Sequence, residues 1–197
     1  MKTPDLVFRG RRLSSDRALV LAAVQVLPEP DGAREAVLSA VEDGADLVGF
    51  AGTGVEPVVA WARSKFPDLC LAVDTADASV AAACCAAGAD LILARTDLVG
   101  VAERFGAGYA GSAVVDVPGF VLDAGVLRAV RSLPEDVPVL LSVAGDGTPG
   151  GLALAALAAS AGAAIIRTRH VRATRQVAEM AASIAGTRPP AKAVRWA

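Results

Sequence analysis

Four times along this chain an apolar run of strand length stops abruptly on polar residues. Leu69-Cys70-Leu71-Ala72-Val73 ends on Asp74-Thr75, Ala89-Asp90-Leu91-Ile92-Leu93 on Ala94-Arg95-Thr96-Asp97, Ser112-Ala113-Val114-Val115 on Asp116, and Ala164-Ile165-Ile166 on Arg167-Thr168-Arg169-His170. Alanine-rich helical patterns follow most of these runs. An unbroken apolar run is the mark of a strand covered on both faces, which a parallel sheet with crossover helices provides. Strand and helix alternating every 20 to 30 residues or so specify such a sheet, and α/β folds place their sites at the carboxyl ends of the strands.

The chain of 197 residues is one domain, long enough to bury about 70% of its unfolded surface. Hydrophobic residues make up 54% of it and aromatics only 4%, so the core is built from Ala, Val and Leu and brings helices close to strands. Net charge is −2 and no run of Lys or Arg exceeds a pair, which excludes the electrostatic footprint of a nucleic-acid binder. Cys70, Cys84 and Cys85 lack the count and spacing of a disulfide or zinc framework and read as buried hydrophobes in a reducing compartment. His170 is the only histidine, which leaves no support for a metal site or a Ser-His-Asp arrangement. Arg9, Arg11, Arg12 and Arg17 ahead of the apolar run 18–27 imitate a signal peptide, but Gln25 breaks the run and Pro28-Glu29-Pro30 stands in place of a cleavage site. No apolar run approaches the length of a membrane span. A cytoplasmic protein without membrane contact is expected.

Along the chain, 6–13 reads as a hairpin turning at Gly10. Strands are expected at 18–27, 45–50, 69–73, 89–93, 137–143 and 164–169, with one strand or two short ones in the glycine-rich stretch 106–119. Helices are expected at 33–42 with Asp31 as cap, 55–66, 78–87 with Asp77 as cap, 98–105, 121–132, 152–161 and 174–185. The sum is an α/β fold, a reduced TIM-type (β/α) barrel of seven or eight parallel strands over 18–186. The hairpin extension 1–17 precedes it, and a tail 187–197 follows that Pro189-Pro190 keeps from continuing a helix.

Three stretches together resemble the pterin-binding family of dihydropteroate synthase. Leu71-Ala72-Val73-Asp74-Thr75, the helix after it and Gly88-Ala89-Asp90-Leu91-Ile92 are similar to the family's SVDT strand, its helix and its GADIIND strand. Ala45-Asp46-Leu47-Val48-Gly49-Phe50 resembles GADIIDV, and Ile166-Arg167-Thr168-Arg169-His170-Val171 resembles the closing RVHDV strand. Phe8 to Leu13 fits the family's leading hairpin. The resemblance runs in the family's order over nearly the whole chain.

It fails where the family does its chemistry. The Asn that ends the family's first strand is replaced by Gln25 and the loop after it is gone; the second substrate loop is reduced to Gly52-Thr53-Gly54. Asp74 and Asp116 are kept, although Val117 interrupts the Asp-Pro-Gly motif. Ala94 stands for an Asn, and the SRKSF stretch reads Ser142-Val143-Ala144-Gly145-Asp146-Gly147, without its lysine. Arg167 is kept and Arg169 stands for the imidazole. Only about 20 residues separate the fourth strand from Asp116, which implies that one β/α unit is missing.

Each candidate site residue also has a plain structural reading. Asp74 and Asp116 at strand ends accept hydrogen bonds from a ligand, or cap the turns that follow them. Arg167 and Arg169, two apart and joined by Arg95, hold an anion or neutralise those carboxylates. Gln25 lines the same mouth. The loop 145–151, with Gly145, Gly147 and Thr148, cradles a phosphate on backbone N–H groups or is a flexible turn. The resemblance implies a divergent family member that has lost the synthase reaction and binds a pterin or another anionic small molecule, with no cofactor; were it active, a transferase of that type is the nearest relative. Two other readings stay open: an active small barrel acting on a phosphorylated ligand, and a non-catalytic subunit that pairs with itself or with a true synthase.

Overall fold

A computed structural model describes residues 6–13, 16–111, 114–117, 138–143 and 147–189. The hairpin is β1 (Leu6–Phe8) and β2 (Arg11–Leu13). Then follow β3 (Leu19–Val26), α1 (Asp31–Glu42), β4 (Leu47–Gly52), α2 (Val55–Lys65), β5 (Cys70–Asp74), α3 (Ala78–Ala86), β6 (Leu91–Leu93) and α4 (Val99–Phe105). The rest is β7 (Gly108–Ala110), β8 (Val114–Val117), β9 (Leu140–Val143), α5 (Pro149–Ser160), β10 (Ile165–Thr168) and α6 (Val171–Ile184). The helix expected at 121–132 lies outside the described residues.

Strands β3 to β10 make one parallel sheet in the order β7-β6-β5-β4-β3-β10-β9-β8. Laid flat, eight strands would hold the two edges about 33 Å apart. The three residues between Ala110 and Val114 reach at most about 14 Å. The sheet therefore has to curl. Parallel neighbours also need a crossover of about a dozen residues, so β7 and β8 are not paired side by side and stand at the two ends of the strand order. The result is a half-barrel of TIM type, and the stretch 106–119 supplies two short strands, as its glycines and apolar run suggest.

Side chains alternate across the sheet. Leu19, Leu21, Leu47, Cys70, Ala72 and Leu91 fill the hollow together with Leu6 from the hairpin, while Val20, Val48, Phe50, Leu71, Val73 and Ile92 pack outward under helices. Space in the hollow is short: a Cβ on Gly49 would come within 2.8 Å of Leu21.

The amino end of the sheet is built from a repeated phrase, Gly44-Ala45-Asp46 and Gly88-Ala89-Asp90. Each glycine ends a helix at positive φ, +84° and +115°, as an αL cap requires. The following alanine N–H reaches back to Ala40 and Cys84 respectively, both at 2.9 Å. Each aspartate exchanges bonds with one residue of the neighbouring strand: Asp46 with Val20 and Asp90 with Leu71, the backbone N–H of that residue donating to the carboxylate at 2.8 and 3.0 Å. Arg17 forks onto Asp46 with two bonds of 2.7 Å, and Arg11 and Arg63 both reach Asp90, at 2.6 and 2.5 Å. Burial alone would lower the pKa of the Arg17 guanidinium, but the carboxylates of Asp46, Glu179 and Asp16 together more than offset it and the net direction is upward. The hairpin closes this floor. Arg9 donates to the carbonyls of Cys85 and Ala89, and Phe8 sits where a side chain on Gly108 would be.

Three helix starts differ from the sequence expectation by more than one residue. Pro30, not Asp31, is the N-cap of α1, and Asp31 is its first residue. Helix α5 starts at Pro149 rather than 152, because Thr148 caps it and proline suits the first helical position. Helix α6 starts at Val171 rather than 174, since buried Thr168 accepts the His170 N–H and the Thr174 hydroxyl and so fixes the turn early.

Candidate functional site

The carboxyl ends of the parallel strands share one mouth, and the sheet register places the candidate residues on it. Asp74, the last residue of β5, is level with Ala51 and, through it, with Gln25 of β3. Arg167 is level with Leu21 of β3 and Ser142 of β9, and Asp116 of β8 is level with Ser142 too. Strands β3 and β4 stand between β5 and β10. A contact between Asp74 and Arg167 must therefore cross the hollow rather than run along the sheet.

They do meet. Arg167 Nη1 donates to Asp74 Oδ2 at 2.5 Å, with side chains 20% and 34% exposed, so the pair is open to solutes entering from the mouth. Leu21 and Leu93, level with the pair, and Ala72, two residues below Asp74, are buried and apolar, so the pair borders a filled core. Beside Arg167, the Ser142 hydroxyl is buried and has no hydrogen-bond partner among the described residues.

The other candidates are less converged. Gln25 is exposed, with Nε2 2.7 Å from where a Gly52 side chain would start; the Val26 carbonyl is closer still, so β4 can pass β3 there only as glycine. Arg95 is exposed and lies beyond β6. Arg169 is exposed and lies just past the end of β10. The two-residue alternation that would align it with Arg167 stops at Thr168.

The expected phosphate cradle changes character. Pro149, Gly150 and Gly151 form the first turn of α5 rather than a loop, and the Thr148 hydroxyl accepts the Gly151 N–H at 3.1 Å. Gly147, at φ +83°, lies directly under the His170 ring, where no larger residue would fit. Gly145 and the side chain of Asp116 lie outside the described residues.

Burial pushes the Cys70 and Cys84 thiols up to about 12 and raises Cys85 as well, which removes the thiolate that reaction or metal binding would need. Among the described residues no cluster of His, Cys, Asp and Glu could hold a metal ion, and no helix is long and apolar enough to cross a membrane. Asp77 is held below its usual range by the Ser79 hydroxyl and the N–H groups of Val80 and Ser79; its work is to cap α3.

A curled parallel sheet, sealed at its amino end and charged at its carboxyl end, defines an α/β fold of TIM type. No family model matches the chain. A curated relative, "Inactive dihydropteroate synthase 2" of Mycobacterium tuberculosis, is 32% identical over 94% of this chain and 89% of its own length. The solved structure of Mycobacterium tuberculosis Rv1207 superposes with a TM-score of 0.73 at 34% identity, covering 94% of this chain and all of its own. Yersinia pestis dihydropteroate synthase, solved with a pterine-sulfa conjugate, shares the fold at TM-score 0.78 and 20% identity, over 93% of this chain and 100% of that one. The chain belongs to the dihydropteroate synthase family, beside members named inactive. The alignment with the curated relative is 285 positions long against a chain of 197 residues. Some stretches of the relative therefore have no counterpart, in keeping with the shortened loops.

Proposed function

We propose that this protein is a family member without synthase chemistry whose mouth holds a pterin-type heterocycle or another anionic small molecule. The observation that carries the proposal is the Asp74–Arg167 pair, which converges at the carboxyl mouth over an apolar core. A carboxylate there can accept from ring N–H and amino groups, and a guanidinium can hold an anion or lie against a flat ring.

The condensation needs more than this. It requires groups that take up the charge of a departing pyrophosphate and loops that exclude water while the new bond forms. The family's lysine, asparagine and both substrate loops are replaced or shortened here, so several transition-state contacts are lost together and their losses compound. Relatives named inactive fit that reading. The same proposal places the protein in the cytoplasm, in keeping with three free, buried cysteines.

Two measurements test it. The purified chain should form no dihydropteroate from a hydroxymethylpterin pyrophosphate and p-aminobenzoate, while pterin should raise its melting temperature. Turnover at ordinary enzyme rates would overturn the first half, and melting unaffected by saturating pterin the second.

A further inference from the structure

The most exposed large apolar side chains among the described residues are Ile184, 82% exposed, and Met180, 67% exposed, one turn apart on α6. With Val177 they form a stripe at helical spacing. The other flank of α6 is occupied: Arg172 donates to Asp43, and Arg175 to Glu179 and the Gly44 carbonyl. The stripe borders α5, since Val177 packs into the cluster of Leu154, Ala155 and Ala158. Helix α5 bears no charged residue along its whole length and leaves Ala153, Leu157 and Ser160 exposed. The two helices thus share an apolar outer face, where a solvated helix ordinarily carries charge.

The chain turns back onto this helix as it leaves it. Gly186, at φ +74°, ends α6 in the αL cap that reverses a chain. The Thr187 hydroxyl lies between the carbonyls of Ala182 and Asp16, at 3.2 and 2.9 Å, and Arg188 reaches Glu179 at 3.3 Å and Asp16 at 3.7 Å. Residues 190–197, outside the described residues, therefore continue from a point fixed beside the last turns of α6, and they carry Val194 and Trp196. We infer that this segment is the occupant of the α5–α6 face, with Trp196 over Met180 and Ile184. Extended, it reaches about 28 Å, whereas α6 is about 21 Å long. Val194 and Trp196, two apart, share one face of an extended segment, and a methionine sulfur is a favourable neighbour for an aromatic ring. Tethering selects the chain's own segment over a second copy, because a short linker holds it at an effective concentration on the order of millimolar. Its work is to keep an apolar surface from meeting others.

The test reads Trp196, which with Trp61 makes up the chain's tryptophans. Subtracting the fluorescence of Trp196→Phe from that of the parent isolates it. In the full chain Trp196 should emit as a shielded indole and resist acrylamide quenching several-fold better than free N-acetyltryptophanamide. Met180→Glu and Ile184→Glu, at exposed positions outside the core, should each shift that emission to the red and restore the quenching. A parent Trp196 quenched like the free indole overturns the inference. So does shielding that survives both substitutions, which would put the indole elsewhere. Shielding that fades on dilution of the protein overturns it too, and makes the occupant a second copy. Parent and either α6 variant together decide, should the other variant fail to fold.

Discussion

Asp90 at the amino end of the half-barrel and Asp74 at its carboxyl end are both aspartates bound to arginine, in opposite settings. Asp90 is fully buried and receives Arg11, Arg63 and the Leu71 N–H. Nothing on it is left for a solute. Asp74 is a third exposed and, among the described residues, its ion-pair partner is the guanidinium of Arg167. One end uses charge to close a structure, the other holds charge where it can be exchanged for a ligand's. In parallel barrels the amino face serves stability and the carboxyl face serves function.

The largest effect should come from the floor. Asp90→Ala removes the carboxylate from two arginines, which keep only backbone carbonyls as partners, and leaves the Leu71 N–H unpaired, and should cost about 3–5 kcal/mol in urea unfolding. A loss under about 1 kcal/mol, the level of an exposed pair, would erase the contrast between the two ends. The three thiols give a second readout. With Cys70 and Cys84 pushed up to about 12 by burial, a thiol reagent at mildly alkaline pH should label the native parent only as fast as it opens. Asp90→Ala should be labelled much sooner.

At the mouth, Arg167→Gln should change apo stability by no more than about 1 kcal/mol, because the pair is partly open to water. A loss near the floor's value would make the mouth pair structural and remove its availability to ligands. The smallest effect belongs to Asp77. Its pKa is lower in the fold than in the unfolded chain, through the Ser79 hydroxyl and the N–H groups of α3, so its stabilisation is present above the ordinary carboxylate range and is lost as pH falls through the folded value. Asp77→Ala should therefore melt slightly below the parent at neutral pH and converge with it in strong acid; a gap that persists in acid would assign the effect to something other than the charge.

The strand-and-helix period was legible because it rests on local pattern: apolar runs, Asp77 before α3, glycines after α1 and α3. The family likeness was legible for the same reason. The pairing of Arg167 with Asp74 was one of the two readings those strand-end residues allowed; most other contacts between distant residues stayed hidden. Arg9, Arg11 and Arg17 read as an imitation of a signal peptide, yet their partners lie on α3, at Asp90 and at Asp46. The repeated Gly-Ala-Asp was the available clue, since an aspartate at the start of a buried strand must find a cation. Glycine-rich 145–151 suggested a loop because two glycines are poor helix formers, and the Thr148 cap with Pro149 outweighs that. Gln25 was placed at the mouth by alignment alone; its meeting with Gly52 depends on how closely β3 and β4 approach.

The strand order has a kinetic meaning. In the sequence β7-β6-β5-β4-β3-β10-β9-β8, every ladder joins strands consecutive in the chain except that of β3 with β10. Two sub-sheets, β3 to β7 and β8 to β10, can each be assembled from short-range contacts, whereas that one ladder sews the first main strand to the last. Closing the longest loop is the step that waits for the rest. In refolding, amide protection should thus reach β4 and β5 before the rung on which Arg167 stands, and the mouth would be the last part of this protein to exist.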